Sequence, residues 1–204
     1  MKIKGLEISA TDSVYPPAED SFLLAKHVRG LRGRVLDMGT GSGIQALTNA
    51  KVNPANEVIG VDINPGAVKC AANNAKANRI KNARFLVSDL FDEVSGVFDG
   101  IIFNPPYLPE SEPASDLGKD AEIALSGGRT GQEISDRFIE EAGRFLKKGG
   151  QALLVQSSIN DEGRTLALLK EKGYAAKVID KESFFFEKIF VIRFSKKSEQ
   201  KIKE

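Results

Sequence analysis

A seven-residue turn, Asp37-Met38-Gly39-Thr40-Gly41-Ser42-Gly43, lies between a short β-branched run at 34–37 and a helical pattern opening at Ile44. Glycine at every second position of a strand-to-helix turn lets the backbone approach a ligand that any Cβ would hold off. Such a turn at the end of the first strand marks an open α/β sheet that binds at its carboxyl edge. The rest of the chain repeats the unit. Strand patterns at 57–62, 84–87, 98–103 and 151–156 alternate with helical patterns at about 65–78, 132–146 and 161–172, which predicts a mostly parallel sheet with helices on its faces. Pro65 suits the first turn of its helix, and Gly149-Gly150 is expected to end the helix begun near Gln132. Two final strands, 175–180 and 187–194, lie too close together for a crossover, so the sheet is expected to close in a reversed, antiparallel hairpin.

Composition narrows the function. At 204 residues the chain predicts one domain, with 33–195 as its body, 1–32 as an extension and helix packing over the ligand site, and 196–204 as a charged tail. Lys plus Arg (29) nearly balances Asp plus Glu (28), against the uniform basic footprint of a protein that coats nucleic acid. No apolar run approaches about 18 residues and the start has no secretory core, so a cytoplasmic protein with no membrane partner is expected. One cysteine, Cys70, and one histidine, His27, exclude a disulfide framework and a four-ligand zinc site. Both read as structural, and Arg129 carries no assignment. Chemistry therefore falls to carboxylates, amides, hydroxyls, the backbone or a cofactor.

The spacing G-x-G-x-G is not the nicotinamide fingerprint, which needs glycine where the chain has Ile44. Asp37, Asp62 and Asp89 stand at the ends of three successive strands, with 25 residues from the first to the second. Three acids there repel a diphosphate but suit a ligand with an ammonium, a sulfonium, a ribose diol and an exocyclic amine. S-adenosylmethionine has all four. Asn104-Pro105-Pro106-Tyr107 closes the fourth strand. An amide or exocyclic amine is a poor nucleophile because its lone pair is delocalised. The Asn104 side-chain oxygen and the Pro105 carbonyl can each accept one N–H of such an –NH2 group, stabilising the positive charge that grows on nitrogen during attack. The prolines fix φ and Tyr107 offers a flat face to a planar group.

These motifs together resemble the seven-stranded, Rossmann-like S-adenosylmethionine-dependent methyltransferases that act on –NH2 groups. YPPAEDSFLL at 15–24 and ALSGGRTGQEISDRF at 124–138 narrow the resemblance to the HemK family, which methylates the glutamine of the Gly-Gly-Gln motif in peptide-chain release factors. The likeness spans roughly 14 to 194 and implies the strand order 3-2-1-4-5-7-6. It also implies that Asn104, Pro105 and Tyr107 hold the glutamine amide with Pro106 beside them, that Asp62 with Ile63 takes the ribose, and that Asp89 with Leu90 takes the adenine. Asp37, Gly39, Gly41 and Ser21 would surround the methionyl portion, and Tyr15 with Pro17 would wall the transfer pocket. Only about 32 residues precede the first strand, which resembles the short archaeal and eukaryotic branch, similar to a catalytic subunit working with a small zinc-binding activator. That activator is expected at the edge formed by the third strand, Arg84-Phe85-Leu86-Val87, whose short apolar edge invites pairing; the alternative is that the chain's own residues 1 to 13 shelter it. The stretch from Leu108 to Thr130, rich in Pro, Gly and Ser, is expected to be mobile without substrate and to wall the peptide site. Three rivals stay open: a nucleic-acid amino methyltransferase of the N6-adenine type, protein lysine methylation as a secondary activity, and a binding-only subunit.

Overall fold

The computed structural model describes residues 2–3, 5–11, 14–109, 127–184 and 187–197. A short antiparallel pair, β1 (Lys2–Ile3) and β2 (Leu6–Glu7), precedes α1 (Glu19–Val28). There follow β3 (Arg34–Met38), α2 (Ile44–Val52), β4 (Glu57–Asp62), α3 (Pro65–Ala77), β5 (Ala83–Val87) and β6 (Phe98–Phe103). The second half holds α4 (Glu133–Phe145), β7 (Leu146–Ser157), α5 (Glu162–Glu171), β8 (Tyr174–Ser183) and β9 (Lys188–Lys196). The last seven strands form one sheet in the order β5-β4-β3-β6-β7-β9-β8, the expected order, parallel except that β9 runs antiparallel to both neighbours. Among the described residues no helix is long and apolar enough to cross a membrane.

The period of two along each strand sorts side chains into two cores. Leu36, Met38, Ile59, Val61, Ile101, Phe103, Leu154 and Phe194 face α4 and α5, joined by Phe138, Ile139, Ala142 and Leu169 from those helices. Val35, Val58, Ile102, Leu153, Val155 and Val191 face the other way, onto Leu23, Leu24 and Val28 of α1 and Ala46 and Ala50 of α2. Pro65 opens α3 as expected, behind an Asn64 cap whose side chain accepts from Gly66 N–H at 2.8 Å.

Helix α4 ends at Phe145, within a residue of expectation, but one boundary departs: β7 begins at Leu146, already extended, fully buried and paired with Phe98, and not at 151. Docking that apolar side chain against the sheet thus starts the strand ahead of the glycine pair. The N-terminal segment bears on the alternative in which the chain's own residues shelter β5. Its backbone lies along α3, where Asn78 exchanges two hydrogen bonds with Glu7 (2.8 and 2.7 Å) and Asn74 two with Ser9 (3.1 and 2.8 Å). Leu6 and Ile8 are thereby buried against Leu47 and Ala75 and reach Ala83 and Phe85 of β5. They cover a face of β5 without pairing with it: among the described residues the outer edge of β5 has no strand partner, and Val87 is exposed. His27, read as structural, joins α1 to Asp180 of β8 at 2.7 Å, and Cys70 is buried.

Phe138 sits within ring contact of Phe91, Phe103 and Phe194, at 5.7, 4.7 and 6.2 Å between centroids. Truncating a ring so enclosed leaves a cavity, and Phe138→Ala is expected to destabilise the fold by about 3–5 kcal/mol in urea titrations.

Candidate active site

The carboxyl ends of β3, β4 and β6 open into a cavity of about 1010 Å³. Its lining contains every residue that the sequence assigned to the site: Tyr15, Pro17, Ser21, Asp37, Gly39, Gly41, Asp62, Ile63, Asp89, Leu90, Asn104, Pro105, Pro106 and Tyr107. The wall nearest β3 is the glycine turn. Gly39 has φ +60°, and a Cβ there would meet the Phe103 ring at 3.3 Å, so the turn both needs the left-handed region and lacks room for a side chain.

Asp37 holds this turn from beneath. Buried almost completely, it accepts through one oxygen from Thr40 Oγ1 at 2.7 Å and from Ala46 N–H at 3.0 Å. The second bond caps α2, whose own N-cap residue, Gly43, has no side chain for the task. Asp62 grips the turn from β4, its two oxygens accepting from Gly41 N–H (2.9 Å) and Asn64 N–H (3.0 Å). Burial pushes the Asp62 carboxyl above its ordinary value, against those two bonds. Past β5, Leu90 is left-handed at φ +44° without being glycine. Ser88 secures it, donating to the Leu90 carbonyl at 2.8 Å while accepting from Glu93 N–H at 3.0 Å. The neighbouring Asp89 is half-buried and pairs with Arg137 of α4 at 3.2 Å.

The opposite wall is Asn104 to Tyr107. Asn104 Nδ2 donates to Asp20 at 2.9 Å, while its Oδ1 is buried with no hydrogen-bond partner among the described residues. Burial first, then the charges of Asp20 and Glu187, raise the Tyr107 phenol far above its ordinary value, and burial with Asp20 and Glu19 raises Tyr15 as well. Both phenols therefore stay protonated and neither serves as a base.

Two further parts complete this wall, and one of them was missed in the sequence. Asn160, buried after β7, donates to the carbonyls of Tyr107 and Gly131, each at 3.0 Å. The Gly-Gly-Arg-Thr-Gly run packs backbone to backbone on the same strand end: a Cβ on Gly127 would lie 2.7 Å from the Pro106 carbonyl, and one on Gly131 2.5 Å from the Tyr107 carbonyl. The glycines were legible as a motif, but Asn160 had no sequence signal because its partners are main-chain atoms. Of the stretch expected to be mobile, 110–126 lie outside the described residues. Its flanks, Leu108 and Gly128, line the cavity.

The family model for the methyltransferase small domain matches residues 18–121. The chain belongs to the methyltransferase small domain family. This methyltransferase is 42% identical over 193 residues to a protein named as an N5-glutamine methyltransferase in Methanocaldococcus jannaschii, covering 94% of this chain and 96% of that one. It is 30% identical over 198 residues to the methyltransferase HEMK2 of Homo sapiens, covering 92% of each. Among solved structures it is similar to the Mtq2–Trm112 complex of E. cuniculi, described as responsible for methylating the translation termination factor eRF1. The TM-score is 0.70 and the identity 25%, over 91% of this chain and 99% of that one.

Burial drives the Asp37 carboxyl up to about 7 against the pull of Thr40 and Ala46, with Asp62 adding to the rise. The unfolded carboxyl titrates near 3.9, so between about pH 4 and 7 the folded chain holds a proton that the unfolded chain has released. The stability this proton contributes is complete below about pH 4 and is lost as pH rises through the folded value. Asn at position 37 keeps an acceptor for Thr40 and Ala46 without a charge. From about pH 5 to about pH 8 the wild type is therefore expected to lose on the order of 2–3 kcal/mol relative to Asp37→Asn. Urea unfolding at each pH measures the gap, and parallel profiles would contradict the assignment.

Proposed function

We propose that this methyltransferase transfers a methyl group from S-adenosylmethionine to the side-chain amide nitrogen of a glutamine, the one in the Gly-Gly-Gln motif of a peptide-chain release factor. The observation that carries the reading is the Asn104 Oδ1, a buried acceptor without a partner among the described residues, on a side chain that lines the same cavity as Asp37 and Asp62. A buried acceptor of this kind costs about 1–3 kcal/mol unless a donor meets it, and the –NH2 of a glutamine is such a donor. The names of relatives that align along nearly the whole chain support the same substrate.

The residues fit the donor. The turn at Gly39 leaves backbone where a Cβ would intrude, and the carboxylates of the cavity suit a cationic ligand carrying a diol. We assign Asp62 with Ile63 to the ribose, Asp89 with Leu90 to the adenine, Asp37, Gly39, Gly41 and Ser21 to the methionyl portion, and Tyr15 with Pro17 to the transfer pocket. S-adenosylmethionine, when bound, supplies an electrophilic methyl whose bond to sulfur breaks, with its electron pair, as the bond to nitrogen forms. The chain orients and stabilises. Asn104 Oδ1 and the Pro105 carbonyl accept the two amide N–H groups, turning the nitrogen lone pair toward the methyl and opposing the positive charge that develops. Tyr107 packs on the amide plane with Pro106 behind it. No side chain is needed as a base, since the methylated nitrogen is acidic enough to give its extra proton to water.

We further propose a small activator protein, zinc-binding as in the branch this chain resembles, on the unpaired edge of β5. The exposed Val87 and the absence of a strand partner among the described residues support that position.

Labelled methyl transfer to a purified release factor, run beside DNA, tRNA and histone, tests the substrate, and incorporation into nucleic acid alone would overturn the reading. Asp62→Ala is expected to weaken cofactor binding by about 1.5–3 kcal/mol in calorimetry. Asn104→Ala should bind cofactor normally while turning over about 10²–10³ times more slowly. Co-expression with an activator of the Trm112 kind should raise specific activity, and full activity of the purified chain alone would remove the need for the partner.

A further inference from the structure

Asp20 lies in the first turn of α1 and lines the cavity, yet neither motif spacing nor the roles given above use it. It accepts from Asn104 Nδ2 through Oδ2 at 2.9 Å, and its other oxygen accepts from Ser21 N–H at 2.5 Å. An ionised carboxylate only accepts hydrogen bonds, whereas a carboxamide donates at one end and accepts at the other. The end of Asn104 facing Asp20 is therefore its NH2, and the oxygen is left at the opposite end, where it is buried without a partner among the described residues.

We infer that Asp20 is a positioning residue for methyl transfer: it holds the Asn104 amide in the one orientation that turns Oδ1 to the acceptor nitrogen, and polarises that amide toward the oxygen. The inference rests on the glutamine reading above and deepens it. Without Asp20 the amide has no reason to prefer either orientation. In the reversed one it points N–H at an –NH2 that also carries N–H, so the acceptor loses its partner and meets a like dipole. The carboxylate is well anchored for the task. Helix α1 is fixed by buried Leu23, Leu24 and Val28, and Gln45 of α2 donates to the Ser21 carbonyl at 2.9 Å. Asp20 thus reaches from a rigid helix to the end of β6, joining two parts of the chain 84 residues apart.

The test compares Asp20→Ala, Asp20→Asn, Asn104→Ala and the double variant Asp20→Ala/Asn104→Ala, using the purified chain, S-adenosylmethionine and a release factor. Asp20→Ala is expected to lower kcat about 10- to 100-fold, with cofactor affinity by calorimetry and the thermal midpoint close to wild type. Asp20→Asn keeps an oxygen for Asn104 Nδ2 and should recover most of that loss. Residues that act through one another are not additive, so the double variant should be no slower than Asn104→Ala alone. A readout independent of turnover is the side-chain NH2 signal of Asn104 in proton–nitrogen spectra, identified by its disappearance in Asn104→Ala. One of its protons should lie downfield in the wild type, move back in Asp20→Ala and return in part in Asp20→Asn.

Wild-type kcat in Asp20→Ala, with Asn104→Ala still slow, would overturn the positioning role and leave the glutamine reading standing. Asp20→Asn as slow as Asp20→Ala would overturn it in favour of proton transfer by the carboxylate, and an additive double variant would overturn it in favour of an independent action. Full turnover by Asn104→Ala would remove both the inference and the reading beneath it.

Discussion

The site depends on a carboxylate kept away from water. Asp37 stands one residue from the end of β3, and from there one oxygen holds both the Thr40 hydroxyl and the first turn of α2. Because Gly43 brings no capping side chain, the helix would otherwise begin with its N–H groups unmet. The turn is thus closed by the strand that precedes it, and Asp62 ties the middle of the same turn to the next strand through Gly41. The burial that raises the Asp37 carboxyl is the cost of holding a loop of alternating glycines in one shape. A cation arriving above the turn would favour the charged form, so ligand binding and the protonation of Asp37 are linked.

Much of this was legible in the sequence, for a physical reason. The strands follow from alternating apolar runs and short connections, their order from the family likeness, and Asp37, Asp62, Asp89 and Asn104 each sit within two residues of a strand end that a turn or a proline pair announces. Interactions between a side chain and distant main-chain atoms were not legible. Asn160 meets the carbonyls of Tyr107 and Gly131, and Asn74 and Asn78 meet the backbone of the N-terminal segment. A carbonyl has no residue type, so nothing in the spacing points to it. The start of β7 was misplaced for a related reason: the glycine pair suggested a strand from 151, and the tertiary docking of Leu146 begins it five residues earlier.

The two walls of the cavity differ in electrical character. On the acceptor side burial first, and then the charges of Asp20, Glu19 and Glu187, raise the Tyr15 and Tyr107 phenols above their ordinary values. The share contributed by those carboxylates also favours positive charge on a substrate nitrogen at this wall. That fits a reaction whose difficulty lies in developing such charge on an amide, and it needs no proton acceptor in the site.

The chain leaves the strand end at Pro109 and rejoins the described fold at Gly127, with Gly127 N–H donating to the Leu108 carbonyl at 2.9 Å and Asn160 bonding to both flanks. The two ends of the 17 intervening residues are therefore pinned by contacts that do not involve those residues. The wall beside Asn104 thus takes its shape from Tyr107, Leu108, Gly127, Gly131 and Asn160. A single amide beyond β7 fastens both flanks, so the loss of that one side chain would loosen the two together.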